Sequence, residues 1–168
     1  MERRVGVLAL SIRQPWAELV VRGWKTIENR DWQRPPRYQG PVAIHASLRL
    51  DRAGIPGALS MLREAGVDPA ALGAPEALPR GAYVGVALLG GGVRLDDLGA
   101  RLHLTPGQQI WWAWGHEHVA LHMVGAARFE APIPGRGRLG LYPPPPEVGE
   151  AALELARHAG AADGRRRR

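Results

Sequence analysis

Lys25, Glu28 and Arg30 place two cations and a carboxylate within six positions of a 168-residue chain. A lysine ammonium is a compact point charge suited to phosphate or to a polarised carbonyl oxygen, whereas arginine offers a planar fork of donors. Glu28 can accept from an exocyclic amine or a ribose hydroxyl, or it can simply hold the two cations in place. Facing a cleft, such a cluster makes a site for a polar or anionic ligand; facing a wall, it is an ion-pair network tying a strand to the helix before it. Just upstream, Arg13 and Gln14 sit where Pro15-Trp16 fixes the backbone. His45 and Ser47 alternate along an expected strand and so point to one side, toward the cleft or into the core.

Two other residue groups have side chains that could do chemistry. Trp111, Trp112 and Trp114 are the densest aromatic group, and an exposed indole is a sequence-tolerant stacking platform worth about 1–3 kcal/mol per base. On an expected strand over 110–114, one of Trp111 and Trp112 faces the core, and Trp114 shares the face of Trp112. Trp16 falls on the apolar face of a short helix, which favours packing over stacking. His116-Glu117-His118 with His122 is the nearest approach to a metal pattern, but it lacks the helical two-histidine spacing, so no metal and no cofactor are expected. No P-loop, dinucleotide fingerprint or Ser-His-Asp order is present; the glycines at 90–92 lack the required spacing.

These residues need elements to position them. Residues 5–11 form a β-branched and aliphatic run that reads as a buried strand. Pro15 suits a first helical turn; Trp16, Leu19 and Val20 follow at i, i+3 and i+4, and Gly23 is placed to cap the end. Glu18 and Arg22 pair at i, i+4. Residues 25–30 read as extended, with a bend near Thr26 needed to bring all three charges together. After the Pro-rich loop 31–41 come a strand to Ala46, a helical insertion over about 48–79 with 55–65 its best helix, and a strand over 81–89. Gly90-Gly91-Gly92 is expected to turn the chain back into 93–98. Further strands are expected at 119–124 and 139–142. A terminal helix over 146–158 carries glutamates early, Arg157 and His158 late, and Val148, Ala152 and Leu155 along one stripe. Short strands interrupted by helices indicate an α+β fold, a small mixed-sheet barrel with helices around it.

Composition sets the outer bounds. The length suits one domain with a proper core, and 45% hydrophobic with 23% charged residues is ordinary for a globular chain. The absence of cysteine excludes disulfides, thiolate-bound zinc and thiol catalysis. No apolar run reaches the length of a membrane span, and the basic start MERRVGVLAL lacks a cleavage pattern, so a cytoplasmic, membrane-free protein is expected. Net charge is +6, but four of those charges are Arg165–Arg168, leaving the body at +2. A tail of that kind reads as a solvated end with a weak attraction for phosphate, and a monomer is expected.

The segment GWKTIENR at 23–30 resembles the Gly-x-Lys-x-x-Glu-x-Arg signature of the ASCH (activating signal cointegrator homology) domains. LSIRQPWA (10–17), GPVAIHAS (40–47), LPRGAYVGVALL (78–89) and IPGRGRLGLY (133–142) are similar to that family in the same order. The resemblance implies a PUA-like β-barrel over 1–146, followed by a C-terminal helix and basic tail over 147–168. It implies a cleft that handles RNA, DNA, a nucleoside or a modified base, with Arg13, Gln14, Lys25, Glu28, Arg30, His45 and Ser47 as ligand contacts. Some small members are amidohydrolases on acylated cytidine, and others are described as ribonucleases. In the amidohydrolase pattern a threonine nucleophile lies three residues after the lysine, and a distant glutamate completes the set. Glu28 occupies that position here and Thr26 points the other way. Catalysis would therefore fall to Lys25 and Glu28, with Glu117 a positional guess for a second acid–base. A protein-docking role for the Pro-rich 143–146 and the last helix is the third alternative.

Overall fold

The structure, a computed structural model, describes residues 6–112 and 118–166, with only the backbone of 98, 101 and 160–166. β1 (Leu8–Gln14) leads into α1 (Trp16–Val21), β2 (Ile27–Arg30) and β3 (Gly40–Leu50). The insertion holds α2 (Ile55–Glu64) and two 3-10 turns, Pro69–Leu72 and Pro75–Ala77. Then follow β4 (Ala82–Arg94), α3 (Leu98–Leu102), α4 (Pro106–Gln109), β5 (Val119–Pro134), β6 (Leu141–Tyr142) and α5 (Pro146–Arg166). The strands make one sheet in the order β2-β5-β4-β3-β1-β6, parallel only between β1 and β3, curled into a half-barrel. This is the expected α+β architecture, a small mixed, curled sheet with helices packed around it.

Alternation along β1 explains the layering. Leu10 and Ile12 point into the curl, where they meet Val42, Ile44 and Leu121 under α1's Ala17, Val20 and Val21. Ala9 points out, onto Ala43, Tyr83 and Tyr142, and α5 seals that face with Val148, Ala152 and Ala156. Burying each large aliphatic side chain stabilises by about 1.5–3 kcal/mol, which fixes the register, because a one-residue slip would exchange the two faces. A third cluster, built on Leu19, Ile27, Leu62, Trp111 and Trp112, sits beneath the helical insertion. The stripe expected on the last helix is present, with Leu155 only partly buried, and the helix runs on to Arg166.

Two expected elements differ. Gly90-Gly91-Gly92 does not turn the chain; β4 runs straight through it, with register shifts against β5 between Ala87 and Leu89 and between Leu89 and Gly91. A Cβ on Gly90 would lie 2.6 Å from the Val124 side chain, and Gly91 has φ of +132°, so the glycines admit a bulged, close pairing. Residues 110–112 are not strand either. Thr105 forms a capping box with Gln108, Pro106 opens α4, and the chain then turns at Trp111. Trp111 and Trp112 are consequently both buried instead of alternating, and Trp114 lies outside the described residues.

Candidate functional site: a cleft at the open seam of the half-barrel

α1 sets the lysine. Its C-terminus closes in a Schellman motif: Gly23 at φ +72° donates to Val20 O at 2.9 Å, and Trp24 donates to Leu19 O at 3.1 Å. Lys25 N–H then shares Leu19 O at 3.0 Å, so the bend falls at Trp24, ahead of the strand. This folds the Lys25 side chain back, its ammonium 5.8 Å from the Trp16 ring centroid. Lys25 Nζ donates to Glu28 Oε2 at 2.8 Å and to the Ile27 carbonyl. Two of its three N–H donors are thereby used, in a residue only 4% exposed.

β2 sets the other two. Glu28 and Arg30 share one face of a strand that is held by antiparallel pairing to β5. Arg30 Nη1 lies 3.5 Å from Glu28 Oε1 and donates to Ser11 O at 3.2 Å, while the guanidinium sits 5.5 Å from the Trp32 ring centroid. Since β2 is one edge of the sheet and β1 lies beside the other, the Arg30–Ser11 bond spans the open seam. Asn29 steadies the wall by donating to Trp111 O at 2.7 Å.

The cleft along this seam has a volume of about 1150 Å³. Lys25, Glu28 and Arg30 lie along it with Trp16, Trp32 and Trp112. Trp16 is fixed by its indole N–H, which donates to Asp51 at 2.8 Å; the buried indole N–H of Trp112 has no partner among the described residues. Arg13 and Arg138 also line the cleft, and neither has an acidic partner within ion-pair distance among the described residues. Ser47 lines it as well.

Two expected contacts lie elsewhere. Gln14 is fully buried: its Oε1 accepts from Glu18 N–H and its Nε2 donates to Pro79 O, both at 2.9 Å, so it caps α1 and ties down the insertion. His45 is 3% exposed and bonds Ser11 and Gly135 at the outer face of the sheet, where burial pulls its pKa below the ordinary histidine value. Neither lines the cleft. Sequence reasoning missed Asp51, Asn29 and Arg138, although Arg138 falls inside one of the family-like segments. Among the described residues no three His, Asp or Glu side chains converge as a metal site, and His116 and Glu117 lie outside them. His118 pairs instead with Asp31 at 3.2 Å.

A curled α+β half-barrel with a charged cleft at its seam defines a class of fold, and comparison with known proteins gives it a family. The family model of the ASCH domain matches residues 10–93, half of the chain, and the protein belongs to the ASCH domain family. In fold it is similar to the crystal structure of ASCH from Zymomonas mobilis, with a TM-score of 0.51 at 16% identity, covering 90% of this chain and 96% of that one. A serine-to-alanine variant of the Zymomonas mobilis protein matches with a TM-score of 0.51 at 17% identity, over 89% and 96% of the two chains. No curated protein matches the sequence. No described helix is long and apolar enough to cross a membrane.

Proposed function

We propose that the seam cleft binds a nucleobase with its attached phosphate, free or within RNA. The observation that supports this best is the Lys25–Glu28–Arg30 network lying between indole walls, with two arginines in the same cleft that lack acidic partners among the described residues. Each part has a chemical counterpart in a nucleotide. The indoles offer surfaces on which a base can stack, and the ordered cations and carboxylate offer donors and acceptors for base edges. Arg13 and Arg138 offer charge for phosphate.

The alternative, hydrolysis by Lys25 and Glu28, fits the geometry less well. Glu28 has a cation against each carboxylate oxygen, Lys25 at 2.8 Å and Arg30 at 3.5 Å, so the lone pairs that a nucleophile or base would use are already engaged. Fluorescence anisotropy with a short labelled single-stranded RNA tests the binding reading. Arg30→Lys keeps the charge and loses the planar fork, and the expected result is at least a tenfold weaker Kd, about 1.4 kcal/mol. Unchanged affinity in both Arg30→Lys and Lys25→Ala would refute it.

A further inference from the structure

We infer that Leu139 is a wedge that parts a stacked step of paired RNA, so that one base can leave the stack for the seam cleft. The inference rests on the binding reading above and names its substrate class: a base drawn out of a paired strand, not only one offered free.

Leu139 is 96% exposed, the most exposed of the large hydrophobic side chains among the described residues. A solvent-facing leucine is ordinary by itself, and Leu48 and Leu102 are also exposed. Neither of those lines the cleft, whereas Leu139 does, together with its neighbour Arg138. Arg136 is exposed on the same loop, so the apolar side chain comes with the charge that draws in a phosphate backbone.

A wedge must also be stiff, because a leucine on a loose loop would fold onto the protein surface before it parted two bases. The segment from Gly135 to Gly140 is fixed from beneath by buried side chains. His45 Nε2 donates to Gly135 O at 2.9 Å, and Tyr83 Oη donates to Arg136 O at 3.1 Å. The His45 and Tyr83 rings brace each other edge to face, 4.9 Å between centroids. Gly135 N–H donates to Gly81 O at 3.2 Å. Gly137 presses so closely on this cluster that a Cβ would collide with Ser11 Oγ and His45 Nδ1. Gly140, at φ +68°, then turns the chain into β6, where Leu141 pairs with Leu10 of β1. The buried polar cluster on the outer face thus acquires a use, which is to hold Leu139 and Arg138 out at the cleft.

The energetics balance. Leu139 is in water in the free protein and would lose that exposure between two bases, a gain of the same order as the cost of unstacking one step. The base that leaves the stack meets Trp32 as a stacking surface and the Lys25–Glu28–Arg30 network along its edge. Arg138, adjacent to the wedge, offers its charge to the phosphate beside the opened step.

A 2-aminopurine base, dim when stacked and bright when unstacked, placed within a short RNA duplex tests this on the full chain. Wild type is expected to raise its fluorescence at least ~3-fold at saturation. Leu139→Ala should abolish the rise and lower the ratio of duplex to single-strand affinity at least ~10-fold, about 1.4 kcal/mol. Leu139→Met keeps an apolar wedge and should retain the rise. Single-strand binding without duplex binding, duplex binding with no rise in the wild type, a full rise in Leu139→Ala, or equal loss in both variants each overturns the wedge and leaves the cleft reading standing. A wild type that binds neither duplex nor single strand refutes that reading and this inference with it.

Discussion

Among the described residues a carboxylate is buried between two cations twice, and the two networks differ in what lies beyond them. Glu18 is 2% exposed and meets Arg22 at 2.8 Å and Arg128 at 3.4 Å; Glu28 is 5% exposed and meets Lys25 at 2.8 Å and Arg30 at 3.5 Å. The arginines around Glu18 reach water, with side chains 32% and 45% exposed, and they tie α1 to β5. The cations around Glu28 are inside, at 5% and 22%, and they line a cleft. Exposed cations can be rehydrated when their partner is lost, so the first network acts as a staple. Buried cations cannot, so keeping the second one requires continued pairing, and its position against open volume gives that pairing a use.

Removing each carboxylate should separate the two. Glu28→Ala leaves Lys25 buried without its carboxylate and is expected to destabilise by about 3–5 kcal/mol, read from urea unfolding. Glu18→Ala is expected to remove only about 1 kcal/mol, with RNA affinity of the folded protein unchanged. Equal losses in the two variants would erase the distinction. The cleft arginines sharpen it further. Arg13→Ala and Arg138→Ala should each reduce the slope of log affinity against log salt by about 0.7, the single-strand value for one phosphate contact, whereas Arg22→Ala and Arg128→Ala should leave it alone.

The smallest expected effect concerns pH. Burial lowers the pKa of both His45 and His122 below the ordinary 6.5. In the acid range the unfolded chain therefore binds more protons than the native one at these two sites. Their contribution to stability is complete above pH 6.5 and is lost as the pH falls from there toward their lower native values. Thermal melts across that window should show the slope, and His45→Gln should remove part of it.

Local chemistry was legible in the sequence; long-range pairing was not. The 23–30 signature, the Gly23 cap and the Glu18–Arg22 pair all depend on neighbours within a few positions, and all three are where the residue pattern puts them. Gln14 reads as a polar loop residue until Pro79, 65 positions away, supplies its acceptor. His45 reads as a cleft contact because Ser47 shares its side of the strand, yet its partners are Ser11 and Gly135, brought up by a parallel strand and a distant loop. Arg138 reaches the cleft only because β6 pairs with β1 and closes the sheet edge. At 90–92, three glycines resemble a turn locally; close cross-strand side chains, invisible in the sequence, decide for a bulged strand.

Tryptophan indole N–H signals give the most direct test of the cleft as the ligand site. Trp32 and Trp112 line it, whereas Trp24 does not and lies under the Arg22 guanidinium, 5.1 Å from its ring centroid. In a proton–nitrogen correlation spectrum titrated with a nucleoside monophosphate, the Trp32 and Trp112 signals are expected to move together and saturate while Trp24 stays fixed. A titration in which neither cleft indole moves, or in which Trp24 moves as far as they do, would contradict the account.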